Sequence, residues 1–454
     1  MRIAIVGSGP AGFYAAEHLL KNGEGAIEVD MIDRLPTPFG LVRGGVAPDH
    51  PKIKSVIRVY EKTAARPEFR FFGNVMIGRD VSTAELAERY DAVVYSYGAE
   101  TDRRLGIPGE DLAGSGPATA FVGWYNAHPD YADLDPDLSH ERAVVIGNGN
   151  VAADVARMLA LTREELEETD TAAHAIDPLA ESGVKEIVVL GRRGPVQAAF
   201  TNPELRELGE MADADIDIDP AELELDPLSQ EFLETEADIT ARKNFEILSE
   251  HVEKPPEGRS RTIALRFLRS PIEIEGDDRV ERIVVGRNEI YRDEQGSLRP
   301  RDSGERETLE CGLVLRSIGY KGEPLDGLPY DERRGVIPNE RGRVIAGGEQ
   351  VPGVYVAGWI KRGPTGVIGT NKKDGQDTAD ALLEDRESGA VPEVQADANA
   401  LPRLLAERGA SFVDYEGWQA IDAAEKSAGE PLGRPRVKLV SIDEMLAVAR
   451  DAGP

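Results

Sequence analysis

The sequence has 454 residues, 41% of them apolar and 30% charged, and a formal charge of −30. That length calls for two or three domains rather than one core, and the acidic balance argues against nucleic acid or anionic membrane as a main partner, since both need a basic surface. The one cysteine, Cys311, excludes an intrachain disulfide, a CxxC redox pair and an iron–sulfur cluster, which takes about four thiolates.

Redox chemistry in this chain would therefore sit on an organic cofactor, with Cys311 a strand or core residue and no metal site. Residues 2–6 read as a short buried strand that turns through Gly7 into a helix ending near Asn22. No basic leader or cleavage site precedes that strand, so it reads as structure and not as a signal. No run of eighteen apolar residues exists, so no membrane span is expected, and a cytoplasmic protein follows. Residues 27–32 give a second strand, ended by Asp33, and this βαβ opening predicts a doubly wound parallel sheet. An irregular Pro/Gly-rich loop follows over 35–51, then a strand over 91–98. The stretch Gly106-Ile107-Pro108-Gly109 reads as a domain boundary.

The same grammar restarts at Arg142, with a strand over 143–146, a turn over 147–152 and a helix from Val155. A polar excursion over 162–183 leads to a strand over 187–190. The acidic stretch 211–238 reads as a solvated surface segment, and alternation over 264–290 predicts antiparallel strands. A late strand over 354–358 precedes a Gly-rich turn and a helix over about 370–383, a pattern that can return the chain to the first sheet. The tail after Pro392 reads as helix and loop on the surface.

Two glycine motifs carry the chemistry. In Gly7-Ser8-Gly9-Pro10-Ala11-Gly12, Gly7 permits the tight turn, Gly9 lets backbone approach a pyrophosphate, and Gly12 lets helix and strand pack closely. The helix N-terminus then offers free N–H groups to the phosphates. Asp33 lies about 20 residues beyond Gly12, where a carboxylate holds a free ribose 2′-OH. In Gly147-Asn148-Gly149-Asn150-Val151-Ala152 the third glycine is alanine, an accepted variant. Its following strand ends in Gly191-Arg192-Arg193, where two guanidiniums attract the 2′-phosphate that a carboxylate would repel. The first unit thus reads as a site for FAD, tightly and non-covalently bound, and the second as a site for exchangeable NADP(H).

These residues resemble the adrenodoxin reductase family of ferredoxin–NADP reductases, and its actinobacterial members most. The resemblance extends through Pro38-Phe39-Gly40-Leu41-Val42-Arg43, Gly45-Val46-Ala47-Pro48-Asp49-His50-Pro51, Gly191-Arg192-Arg193-Gly194-Pro195 and the run from Gly358 to Lys372 (GWIKRGPTGVIGTNK). It implies two Rossmann-like dinucleotide-binding domains, with an NADP domain over 102–316 inserted into an FAD domain made of 1–101 and 317–454. It implies FAD contacts at Gly9, Asp33, Leu41, Ile77, Trp359, Gly366, Val367 and Ile368. NADP contacts fall on Arg103, Asn148, Gly149, Asn150, Val151, Arg192, Arg193, Glu204 and Gly366.

The implied activity is hydride transfer from NADPH to FAD, then single electrons to a ferredoxin-type iron–sulfur protein, by a monomer or weak dimer with no nucleic-acid or membrane partner. The resemblance places His50 and Glu207 near the nicotinamide, as a charge pair that positions the ring or manages protons. Arg43, Lys361, Arg362, Lys372 and Lys373 are candidates for docking the acidic ferredoxin. A flavin monooxygenase or general diaphorase is the alternative. Phe121-Val122-Gly123 begins like a monooxygenase signature, but His128 comes one position late. An amidotransferase subunit would carry cysteine clusters, and a non-enzymatic NADP sensor would be colourless.

Overall fold

The computed structural model describes residues 1–23, 25–366 and 368–451. The chain divides into two compact units, one made of Met1–Thr101 and Gly319–Pro454, the other of Asp102–Ile318. The second is thus inserted into the first, and Gly106-Ile107-Pro108-Gly109 lies inside it rather than at its edge.

In the first unit the strand Arg2–Val6 pairs in parallel with Glu28–Ile32 on one side and Ala92–Tyr95 on the other. Phe69–Phe72 extends one end, and the return strand Glu349–Val356 joins Ala92–Tyr95 in parallel at the other. Two short antiparallel strands, Arg343–Ala346 and Asn339–Glu340, complete the seven. Period-2 alternation sends Ile3 and Ile5 to one core and Ala4 and Val6 to the other. A parallel sheet covered on both faces reads as a continuous apolar run for this reason.

The first core is covered by the helix Pro10–Asn22 and by the return helix Ile368–Glu387 packed against it. The two helices approach closely because Gly375 has no side chain. A Cβ there would lie 2.7 Å from Ala11 O and 3.0 Å from Ala15 N. The tail is no surface appendage. Its helix Tyr415–Gly429 puts Trp418 and Ile421 into the same core, and the helix Ile442–Asp451 adds Met445. The loop over 35–51 includes two single helical turns, Leu41–Gly44 and Pro51–Lys54.

The second unit has an all-parallel sheet in the order Ser115–Pro117, Leu313–Arg316, Arg142–Ile146, Glu186–Leu190, Arg261–Arg266, Ala214–Asp217. Arg261–Arg266 runs parallel to its neighbours, so the antiparallel expectation for 264–290 fails at its start. It holds from Arg269 onward, in the meander Arg269–Glu275, Arg282–Arg292 and Leu298–Glu310. The acidic stretch is also structured. Ala214–Asp217 is the edge strand, and the Asp215 carboxylate accepts the N–H groups of Glu257, Gly258 and Arg259. Cys311 is buried just before Leu313–Arg316.

Candidate nucleotide sites

In the first unit the strand Arg2–Val6 ends at Gly7, whose φ of 101° favours glycine. The helix Pro10–Asn22 then starts with Gly9 as N-cap and no side-chain cap, so its first N–H groups are available to a ligand. A Cβ on Gly12 would lie 2.3 Å from Gly7 O and 2.8 Å from Ser96 Oγ, whereas one on Gly9 would meet nothing within 4 Å. Gly12 is thus required by the fold, and Gly9 leaves room at the helix N-terminus.

Asp33 stands beside that turn. Its Oδ2 accepts hydrogen bonds from Ser8 N at 2.9 Å and Ser8 Oγ at 2.5 Å, and its Oδ1 accepts one from Leu35 N at 2.9 Å. A carboxylate has about four acceptor positions, so capacity for a hydroxyl remains.

The loop that follows is held against the glycine turn. Phe39, at φ 85°, donates its N–H to Ser8 O at 3.1 Å. Its ring packs on Phe13 and Trp418 at centroid distances of 5.4 and 5.6 Å. A Cβ on Gly40 would lie 2.9 Å from Gly9 Cα. Burial of Phe39 offsets the cost of its backbone conformation, and the result presents Leu41 at 43% exposure. Ile77 is half-buried and packs on the core behind the strand ends.

The return segment arrives at the same turn, since a Cβ on Gly358 would lie 2.8 Å from Ala11 Cβ. Asp374 organises it, a role the sequence did not reveal. Its carboxylate accepts Gly358 N at 2.5 Å, Lys361 Nζ at 2.9 Å and Arg362 Nη1 at 3.1 Å. Trp359 follows Gly358, its ring 5.3 Å from that of Tyr320 and its Nε1 buried without a partner. Gly366, at φ 83°, and Ile368 flank the start of the return helix. Val367 lies outside the described residues. His50 is buried, its Nε2 3.9 Å from Asp49 Oδ1, at the entry to Pro51–Lys54.

In the second unit Gly149 is the uncapped N-cap of the helix Asn150–Ala160, and only Ala199 Cβ would approach a Cβ there, at 3.9 Å. Asn150 Oδ1 accepts Thr201 N at 2.8 Å, which ties this helix start to the loop beyond the arginine pair. Asn148 Nδ2 is buried without a partner, and Val151 is half-buried.

Arg192 and Arg193 are placed by their backbone, whose carbonyls accept Asn288 Nδ2 at 2.8 Å and Leu268 N at 3.1 Å. Their side chains form no ion pair among the described residues. Arg193 Nε is buried without a partner. Burial, and then the positive charges of Arg192 and Arg299, push the Arg193 guanidinium below its ordinary value. Uncompensated positive charge of this kind favours an anion.

Glu204 lies deeper, with Oε2 2.9 Å from Arg157 Nη1. Glu207 is 40% exposed, 3.9 Å from the same guanidinium. Arg103 is exposed near the start of the unit.

The expected docking cations fare differently. Arg43 makes a bidentate pair with the fully buried Glu425, at 2.9 and 2.5 Å, and lies over Trp418. Lys361 and Arg362 share Asp374, and Lys373 pairs with Asp377 at 2.6 Å. Only Lys372 is exposed with no ion pair among the described residues. A basic patch built from these five is therefore not seen: four of them are held in ion pairs within the unit.

Two uncapped glycine-turn helices, one beside an acid and one beside an arginine pair, define a chain with two Rossmann-like dinucleotide-binding domains. The profile of the family described as pyridine nucleotide-disulphide oxidoreductase matches residues 1–188. The chain is 53% identical to NADPH-ferredoxin reductase FprA of Mycobacterium leprae, covering 98% of each chain. It is 43% identical to the mitochondrial NADPH:adrenodoxin oxidoreductase of Arabidopsis thaliana, covering 99% of this chain and 95% of that one. The solved structure of Mycobacterium tuberculosis FprA in complex with NADPH superposes with a TM-score of 0.94 at 51% identity, covering 99% of both. The chain belongs to the adrenodoxin reductase family of ferredoxin–NADP reductases.

Proposed function

We propose that this chain is a cytoplasmic NADPH-dependent flavoprotein reductase, a monomer or weak dimer, that takes a hydride from NADPH onto FAD and passes single electrons to a ferredoxin-type iron–sulfur protein. The observation that carries the reading is the contrast between the two strand ends: Asp33 beside the first glycine turn, and Arg192 and Arg193, which form no ion pair among the described residues, beside the second. FAD has a free ribose and fits the first, while NADP(H) carries a 2′-phosphate and fits the second. The family's printed names, NADPH-ferredoxin reductase and NADPH:adrenodoxin oxidoreductase, support the same donor and class of acceptor.

The residues suit those groups. In the first unit, the open space at Gly9 admits a pyrophosphate, Asp33 accepts from the ribose, and Trp359 Nε1 is a buried donor in want of an acceptor. In the second, Gly149 is open and Asn148 Nδ2 and Arg193 Nε are buried donors without partners. When bound, FAD supplies the conversion between a two-electron hydride donor and a one-electron acceptor. The chain's own work is to bind, orient and shield. Leu41 covers one side of the pocket from a loop held by Phe39, and the first N–H groups of the return helix favour negative charge nearby. His50 and Glu207 are the titratable groups assigned to proton management.

The test is anaerobic. The purified holoenzyme should be yellow, bleach on addition of stoichiometric NADPH and not NADH, and then reduce a ferredoxin. A chain that takes up no FAD, or a bleached chain that cannot reduce any ferredoxin, would overturn the reading. His50→Ala and Glu207→Gln variants whose pH profiles match the wild type would remove those two residues from it.

A further inference from the structure

The chain is strongly acidic, yet residues 51–63 carry Lys52, Lys54, Arg58 and Lys62 against a single acid, Glu61. Lys52, Arg58 and Lys62 are exposed and form no ion pair among the described residues. Elsewhere in this chain cations commonly find carboxylates, as Arg163, Arg292 and Arg343 each find two or more. Two of the eight exposed large apolar side chains among the described residues also fall here: Ile53 at 39% and Val59 at 37%.

Lys52, Val59 and Lys62 share a surface. Ser55 and Val56 keep right-handed helical angles between Pro51–Lys54 and Ile57–Ala64, so helical spacing runs through the whole stretch. Lys52, Ser55, Val59 and Lys62 recur at three- and four-residue intervals and are all exposed. Tyr60, Thr63 and Ala64 face inward, with Tyr60 stacked on Phe13 at 4.9 Å. Unpaired cations around an exposed apolar side chain are the form a docking surface takes for an acidic protein.

We propose that the outward face of residues 52–62, where unpaired Lys52, Arg58 and Lys62 surround exposed Val59, docks the acidic one-electron carrier. The inference rests on the reductase reading and names the surface by which that acceptor is received. It replaces the five cations expected from the sequence, four of which are paired internally. Local positive charge in a chain of opposite overall sign orients an acidic partner, because the net charge repels it from much of the rest.

The experiment uses the full-length holoenzyme with NADPH and an acidic [2Fe–2S] ferredoxin, with ferricyanide as the small acceptor. The triple variant Lys52→Glu, Arg58→Glu, Lys62→Glu should raise the KM for ferredoxin at least about tenfold at low ionic strength and leave ferricyanide reduction within about twofold. A control reversing Lys21, Arg333 and Arg334, with the same change in net charge, should shift that KM by less than about threefold. Carbodiimide treatment of the wild-type pair should join ferredoxin carboxylates to Lys52 or Lys62, a readout that needs no variant to fold. An unchanged KM in the triple variant, an equal loss in the control, or cross-links confined to other lysines would overturn the surface. So would binding to phosphatidylserine vesicles that the reversal abolishes while ferredoxin kinetics stay put. A wild type that reduces ferricyanide but no ferredoxin refutes the acceptor reading itself, which separates the two failures.

Discussion

Glu425 is the most consequential buried charge in the first unit. Its side chain is fully buried, and its carboxylate accepts Arg43 at 2.9 and 2.5 Å, Arg436 at 3.1 Å and Leu439 N at 3.0 Å. Lys438 Nζ donates in turn to Arg43 O at 3.2 Å. The tail thereby grips the loop that carries Leu41. Glu425→Ala would leave Arg43 largely out of water without its anion, while Arg436 keeps Asp422 at 2.7 Å. Breaking a buried pair from one side costs about 3–5 kcal/mol. Glu425→Gln keeps an acceptor and loses the charge, at about 1–3 kcal/mol. Arg43→Ala should cost less than Glu425→Ala, because Arg436 still satisfies the carboxylate.

The assay is amide hydrogen exchange of the helix Tyr415–Gly429, which reports that region without assuming that two units unfold together. The Glu425→Ala variant should speed exchange there on the order of 10²–10³-fold. There is a pH arm as well. Burial alone would raise the Glu425 pKa, but the charges of Arg43 and Arg436 outweigh it and hold it below the ordinary carboxylate value. A depressed carboxylate contributes stability above its unfolded pKa, about 4.3, and loses it as pH falls through the folded value. The advantage of wild type over Glu425→Gln should therefore be full at neutral pH and shrink in acid below about pH 4. An increase in exchange of less than about fivefold in Glu425→Ala, or under about 1 kcal/mol, would show that this carboxylate does not hold the tail to the loop.

Gly9→Ala should leave apoprotein stability unchanged, because its Cβ meets no protein atom within 4 Å, yet weaken FAD binding at least about tenfold by flavin fluorescence titration. Gly12→Ala should instead destabilise the apoprotein, by about 1–3 kcal/mol in urea denaturation, because its Cβ would collide with backbone. Arg192→Ala with Arg193→Ala should raise the KM for NADPH about 10²-fold or more and leave that for NADH within about threefold, since each lost charge-assisted contact is worth about 1.5–3 kcal/mol. Burial pushes the Cys311 thiol up to about 12, so the native protein should resist iodoacetamide at pH 8 and react only on unfolding.

Both glycine turns were readable in the sequence because their requirements are local. A strand end, a tight turn and a helix start lie within a dozen residues, and the steric need for Gly7 and Gly12 is visible in the spacing. What escaped reading depends on distant partners. Arg43 looks like a surface cation until Trp418 and Glu425 cover it from far along the chain. Asp374 shows no motif, and its role exists only because the return helix brings it to Gly358 N. Asp213 and Asp215 read as solvated acid, but their acceptor oxygens cap the backbone of residues 257–260. The tail looked peripheral because Trp418, Ile421 and Met445 are widely spaced apolar residues in polar company, although all three enter the core.

Charge carries one more step of argument. With 83 acids against 53 lysines and arginines, carboxylates outnumber cations, so a cluster of cations that lack one is informative. A guanidinium or ammonium left unpaired in such a field forgoes stabilisation that a nearby acid could readily provide. Arg192 and Arg193 forgo it at a strand end shaped for a nucleotide. Lys52, Arg58 and Lys62 forgo it around exposed Val59. The two clusters differ in their surroundings. The first is part-buried, with orphaned donors at Arg193 Nε and Asn148 Nδ2, and suits a small anion held tightly. The second is open and partly apolar, and suits a broad acidic surface that must leave after each electron. Rapid turnover with a protein acceptor requires the weaker of these two attachments, so the same deficit of carboxylates serves tight binding of the donor at one place and brief docking of the acceptor at the other.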